Sequence, residues 1–194
     1  MIGLSEDGVF WTIQGEGVLS GVPMAFVRLA GCSVGGPSCD TNYQLAERVQ
    51  VDEIVDRVLG VTPAVMLPMR PWVWLTGGEP TDQHLDPLIT ALSETHNVAL
   101  CTAAPHNSPF HNLLRWVSVS PHAVAEGLHG HEVKIVPGLG RLTLEDVGWL
   151  GSFGWRFIQP LAGDDDELTR TIDFVKTHPG WILSTQRHKA WDIR

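Results

Sequence analysis

Cysteine is scarce in this sequence: three in 194 residues, an odd number that excludes a disulfide framework and points to a reducing compartment. Long apolar runs are also missing. No stretch approaches the ~20 residues that span a bilayer, and residues 1–8 lack the basic start and apolar stretch of a secretory leader. The expectation is a cytoplasmic protein with no membrane partner. Basic residues are few, 13 against 22 acids, and the formal charge of −9 repels phosphate backbones, so nucleic acid is not an expected partner. Repeats, low-complexity tracts and linkers are absent too. Residues 1–194 therefore read as a single domain, long enough to bury its own core.

Two of the three cysteines lie in one loop, residues 31–41 (GCSVGGPSCDT), directly after the apolar run 24–30. A strand feeding a Gly/Pro loop with two thiols suits a soft metal or an iron–sulfur cluster. Two small buried residues in a turn is the competing reading, since free Cys packs as a small hydrophobe. Spacing alone does not separate them.

Elsewhere the pattern alternates. Residues 10–17 (FWTIQGEG) read as a polar, Gly-broken segment preceding any strong strand. Strands are expected over 24–30, 71–76, 97–101, 115–119, 132–136, 155–159 and 181–185. The first carries one charge, Arg28, a residue type that usually marks an edge unless it faces a ligand. Helices are expected where Val51, Ile54, Val55, Val58 and Leu59 recur, where Leu85, Leu88, Ile89 and Leu92 follow with Pro87 in the first turn, and on the face Leu168, Ile172, Val175. Thr143 with Asp146 resembles a capping pair before a short helix. The acids Asp164, Asp165, Asp166 and Glu167 read as a helix start, favoured by the dipole, rather than a metal site. Strands alternating with helices indicate an α/β fold with a mainly parallel sheet. The polar and Gly-rich signals all follow strands, where such sheets bind ligands.

These segments carry a resemblance. FWTIQGEG, FVRLAGC, CDT, LTGGEP, VSP, EVKIV, IQP and a terminal QRHK occur in one order, and the chain is similar over nearly its whole length to the 7-carboxy-7-deazaguanine synthase family of radical S-adenosylmethionine (SAM) proteins. GGEP alone is common to many radical SAM enzymes; TIQGEG with CDT and QRHK is specific. The resemblance implies a modified, partial β/α barrel and a homodimer. It implies ring contraction of 6-carboxy-5,6,7,8-tetrahydropterin with loss of ammonia, in 7-deazapurine (queuosine-type) biosynthesis. A 4Fe–4S cluster, SAM and Mg²⁺ are the implied cofactors, and a flavodoxin or ferredoxin the electron donor.

Carried over residue by residue, the resemblance assigns substrate contacts to Ile13, Gln14, Gly15, Glu16, Arg28, Thr76 and Arg194. Glu16 would accept from the pterin amine and ring N–H, and the Arg28 fork would hold the substrate carboxylate. SAM contacts fall on Ser38, Cys39, Asp40, Gly78, Ser120, Pro121, His122, Gln159 and Pro160, with Leu161 and Ala162 beside them; His122 stands where the family commonly has lysine. Thr41 matches a magnesium ligand, and Cys32 and Cys39 match the outer cluster ligands. The family's middle cluster cysteine is Gly36 here. Three explanations stay open: a Cys→Gly change, recruitment of another ligand such as Cys101, or loss of redox chemistry with the pocket kept, leaving a catalytically silent homologue that binds pterin or SAM as a regulatory or interaction module. A two-thiolate zinc site completed by histidines lacks paired CxxC spacing. Cys101 stands where the family often has an acidic residue, and otherwise reads as a buried strand Cys.

Overall fold

Period-two burial builds the sheet, and the two faces of each strand do different work. The computed structural model describes residues 1–35, 39, 41–103, 112–124, 126–137, 143 and 153–194. Among these, one sheet contains β1 (Ile2–Ile13), β2 (Pro23–Leu29), β3 (Glu47–Val49), β4 (Trp72–Gly77), β5 (Asn97–Thr102), β6 (Leu114–Val119), β7 (Glu132–Ile135), β8 (Trp155–Ile158) and β9 (Ile182–Leu183). Its order is β3-β1-β2-β4-β5-β6-β7-β8-β9. β1 is antiparallel to β2 and β3, and every pair from β2 to β9 is parallel. With β3 and β9 as edges the barrel is open, which is the partial β/α barrel the sequence led us to expect.

The outward residues of β2, β4 and β5, among them Val27, Leu29, Val73, Leu75, Val98 and Leu100, form the main apolar core. Helices α1 (Val51–Val61) and α2 (Asp86–Leu92) contribute Ile54, Val58, Leu88, Ile89 and Leu92 to it. Asp52 and Glu53 in the first turn of α1 complement its dipole, and Pro87 sits at the start of α2, where no intrahelical N–H is lost. Each such side chain removed from water contributes about 1.5–3 kcal/mol. The helix-facing side thus supplies the stability, which frees the opposite side for ligands.

That opposite side is layered. Phe10, Met24, Phe26, Trp74 and Ala99 make an apolar floor, with Phe10 stacked on Phe26 at 5.4 Å. One step towards the strand ends the register pairs Arg28 with Thr76, Cys101 with Ser118, and Ser118 with Glu132. Two-residue periodicity keeps all of them on the floor's face.

Several expectations need correction. Residues 10–13 are not a segment preceding the first strand; they end a twelve-residue strand, β1. Polar Ser5, Glu6 and Asp7 with Gly8 at φ 54° hide it, because the pairing with β2 shifts register between Leu4 and Val9. Ser5 to Gly8 stand opposite Arg28 alone, an irregularity that lets the strand carry these extra polar residues. Of the two readings left open for Arg28, the edge falls away, since it lies in an interior strand between β1 and β4, and the ligand-facing one stands. In α3 (Asp165–Thr177) the buried residues are Thr171 and Phe174, while Ile172 is exposed. The packing stripe is rotated one residue from the expected one, because Phe174 docks on His178 and Trp181. The acids at its start behave as expected: Asp164 accepts from the Glu167 N–H at 2.7 Å. Asp146, half of the expected cap at Thr143, lies outside the described residues.

Candidate active site

The loop after β2 and the turn after β4 are welded by backbone contacts. The N–H of Gly78 donates to Leu29 and that of Glu79 to Gly31, at 3.0 and 2.9 Å. A Cβ at Gly78 would drive into the Gly31 carbonyl, so glycine is required there by loop–loop approach. Glu79, 1% exposed, accepts from Thr81 N–H, Thr81 Oγ1, Thr102 Oγ1 and Ala103 N–H at 3.0, 2.7, 2.6 and 2.8 Å, tying the turn to the end of β5. Ser33 donates through both N–H and Oγ to Asp82, each at 2.7 Å. His122 bonds the Val34 carbonyl at 2.9 Å from across the cavity.

On the far side the QGEG turn is held by the C-terminal strands. A side chain at Gly15 would collide with His188 of α4 (Arg187–Ala190), and Arg187 N–H donates to the Gly15 carbonyl at 3.2 Å. Glu132 accepts from Val18 N–H at 2.9 Å. Lys134 donates to Glu16 Oε2, and Gln159 Nε2 donates to Glu16 Oε1 at 3.1 Å. Ser184 Oγ donates to Gln159 Oε1 at 2.8 Å. Burial pushes the Glu16 carboxyl up, yet the Lys134 charge and hydrogen bond, with His188 and Gln159, hold it below its ordinary value. Burial acts to lower the Lys134 ammonium, and Glu16 outweighs it, so the lysine stays charged.

Between these two sides lies a cavity of about 460 Å³. Its wall includes all of the residues matched to substrate contacts: Ile13, Gln14, Gly15, Glu16, Arg28, Thr76 and Arg194. Cys39, Gly78, Ser120, His122, Gln159 and Leu161 line it as well, as do Cys32 and Thr41. Pro121 and Pro160 are buried but off the wall, Ala162 is exposed, and Ser38 and Asp40 lie outside the described residues. Asp7, from the β1 bulge, is 3.2 Å from Arg28 Nε. Sequence reasoning assigned no role to Lys134, Glu79, Thr102 or His188, which also line the cavity. For Lys134 a signal existed, a lysine inside the apolar run VKIV.

Burial raises the Cys32 thiol, and its charged neighbours are Glu79, Cys39 and Asp82. Cys101 is pushed up to about 12 by burial, and the charges around it are Lys134, Glu16, Glu79 and Glu132. Cys101 shares Glu79 with Cys32 as a charged neighbour, and all three thiols line the one cavity. Gly36 lies outside the described residues and has no side chain to offer. Among the described residues no three His, Cys, Asp or Glu side chains gather as a metal site. A 4Fe–4S cluster on three protein thiolates does not fit this donor set, which supplies two.

The chain matches no protein-family model. It is 34% identical to the 7-carboxy-7-deazaguanine synthase of Bacteroides thetaiotaomicron over 96% of each chain. It is 32% identical to that of Burkholderia multivorans, covering 95% of this chain and 96% of the relative. Its fold overlays the crystal structure of QueE from Escherichia coli with a TM-score of 0.69 at 26% identity, over 95% of this chain and 93% of that one. With likeness in sequence and fold running over nearly the whole length, the chain belongs to the 7-carboxy-7-deazaguanine synthase family.

Proposed function

We propose that the protein acts as a 7-carboxy-7-deazaguanine synthase, contracting the ring of 6-carboxy-5,6,7,8-tetrahydropterin with loss of ammonia. The observation that carries this reading is that the QGEG turn, the end of β2, the end of β4 and the C-terminal segment all line one cavity. Radical generation in this family belongs to a 4Fe–4S cluster and SAM. This chain's own residues bind, orient and exclude water.

Asp7 forms an ion pair with Arg28, 3.2 Å from an Nε that makes no hydrogen bond, and the guanidinium fork is the group that would take the substrate carboxylate. Glu16 takes the pterin amine and ring N–H. Gln14 Oε1 accepts the Glu16 N–H at 3.1 Å, which fixes the amide and leaves its NH₂ and one further acceptor position for the substrate. Thr76 beside Arg28 adds a hydroxyl. Gly78, Ser120, His122 and Gln159 form the wall for SAM. Thr41 offers Mg²⁺ one neutral oxygen, so the ion arrives with substrate oxygens around it. The reading carries with it a homodimer, a cytoplasmic location and a flavodoxin- or ferredoxin-like reductant. No helix among the described residues is long and apolar enough to cross a membrane.

The test is anaerobic reconstitution with iron and sulfide, followed by incubation with reductant, SAM, Mg²⁺ and the tetrahydropterin. Formation of 7-carboxy-7-deazaguanine, identified by mass, supports the proposal. Substrate binding without product or 5′-deoxyadenosine overturns it in favour of a binding protein.

A further inference from the structure

Lys134 is a charged side chain in the cavity to which the proposed reaction gives no task. It is 8% exposed on β7, and its Nζ donates to Glu16 Oε2. The other carboxylate oxygen accepts from Gln159 at 3.1 Å. Because Ser184 Oγ donates to Gln159 Oε1, the amide can present only its nitrogen to Glu16; Gln159 and Ser184 are 2% and 6% exposed. A carboxylate has about four acceptor positions. One donor on each oxygen fixes the plane of the group and leaves one position per oxygen for a forked donor.

The surrounding charges leave Glu16 as the lysine's carboxylate. Cys101, facing from β5, is held neutral by burial at a pKa of about 12. Glu132, on the same strand as Lys134, is engaged by Val18 N–H. His188 from α4 adds a smaller favourable effect on Glu16. A buried ammonium without such a partner is strongly unfavourable.

We infer that Lys134 is a positioning residue, holding Glu16 through a buried ion pair as a fixed anionic acceptor for the amino–imino edge of the pterin. This rests on the pterin reading of the cavity. The lysine does not touch the substrate; it acts through Glu16.

The test uses oxidised 6-carboxypterin, a fluorescent ligand that does not turn over, titrated into the wild type and into Lys134→Met and Lys134→Arg from about pH 5 to about pH 9. Near neutrality Lys134→Met is expected to bind roughly 30-fold more weakly. As pH falls its affinity drops further relative to wild type, because burial, no longer opposed by the Lys134 charge and opposed only by the smaller effects of His188 and Gln159, favours the protonated acid. Ionisations of the pterin itself are common to all three proteins and cancel in the ratio. Lys134→Arg restores the wild-type profile. A Lys134→Met profile parallel to wild type, however weak the binding, overturns the inference, since a packing defect would lower affinity equally at every pH. Failure of the wild type to bind the pterin defeats the substrate reading instead. Should Lys134→Met not fold, the Glu16 carboxyl carbon, assigned with Glu16→Gln, is titrated by ¹³C NMR in the wild type. Protonation at or above the ordinary glutamate value overturns the ion-pair role, and protonation below it supports the role.

Discussion

The two sides of the cavity are finished to different degrees. On the side of β7 to β9, Lys134, Glu16, Gln159 and Ser184 form a closed chain of hydrogen bonds. On the side of β2 and β4 the loop is equally well anchored: Gly31 N–H donates to Tyr43 at 2.8 Å, Ser33 is held by Asp82, and Val34 by His122. Its supply of cluster ligands is nonetheless short: among the described residues it offers the thiols of Cys32 and Cys39. Scaffolding and ligand supply are thus separable properties of one loop, and the hydrogen bonds of the opposite wall are made without a thiol.

The largest expected effect comes from supplying the missing ligand. Gly36→Cys should raise iron and sulfide per chain after anaerobic reconstitution and increase reductive cleavage of SAM above that of the Gly36 protein, read as 5′-deoxyadenosine. A third thiolate would leave one iron of the cubane open to SAM. A full cluster in the Gly36 protein would erase the contrast between the two walls and point to a ligand from elsewhere; Cys101→Ala would then be the next protein to reconstitute.

Glu79→Ala should break the scaffolding half of the comparison. It removes the acceptor for two backbone N–H groups and two hydroxyls in a buried site. Stranding such donors costs about 1–3 kcal/mol each at most, and the hydroxyls can turn away, so a net loss of roughly 3–5 kcal/mol is expected. Thermal unfolding should fall by roughly 10 °C for a chain of this size. A loss under about 1 kcal/mol would mean that the GGEP turn is held by its glycines alone.

These two cases show what the sequence could and could not disclose. The parallel order and the ligand face were legible because apolar runs end in Gly/Pro turns, and Gly77-Gly78 does in fact mark the close approach. β1 was hidden because Ser5, Glu6, Asp7 and Gly8 break its alternation at a bulge that places Asp7 beside Arg28. Lys134 stood out in an apolar run, but its partner Glu16 is 118 residues away and only tertiary structure joins them. The place of Cys101 was equally hidden, since its charge environment comes from β7, the QGEG turn and the GGEP turn.

A smaller effect tests recognition alone. Arg28→Lys keeps the charge but loses the fork, and affinity for 6-carboxypterin should fall about tenfold. Binding of pterin without the carboxylate should be unchanged. Equal losses for both ligands would show that Arg28 shapes the wall through Phe10, over which its guanidinium lies at 5.6 Å, and not through the carboxylate.

The smallest effect lies outside the cavity and serves to separate fold from ligand. His96 is 1% exposed, with Nε2 3.2 Å from Thr62 Oγ1 and Nδ1 2.9 Å from Thr95 Oγ1. Thr62 spends its own proton on the Val58 carbonyl at 2.7 Å, so it accepts from Nε2–H, and Nδ1 is left to accept from Thr95. The neutral ring satisfies both threonines. Burial, helped by the Arg70 charge, lowers its pKa below 6.5. The unfolded chain therefore binds the proton first as pH falls, and stability present above about pH 6.5 is lost progressively down to the folded value. The urea midpoint of the wild type should decline from about pH 7.5 to about pH 5.5 more steeply than that of His96→Gln, which should itself be less stable at neutrality by about 1 kcal/mol. Parallel declines would refute the assignment. Pterin affinity should be the same in both proteins at every pH, because His96 bonds Thr62 and Leu92 at the ends of α1 and α2 and is not among the residues lining the cavity.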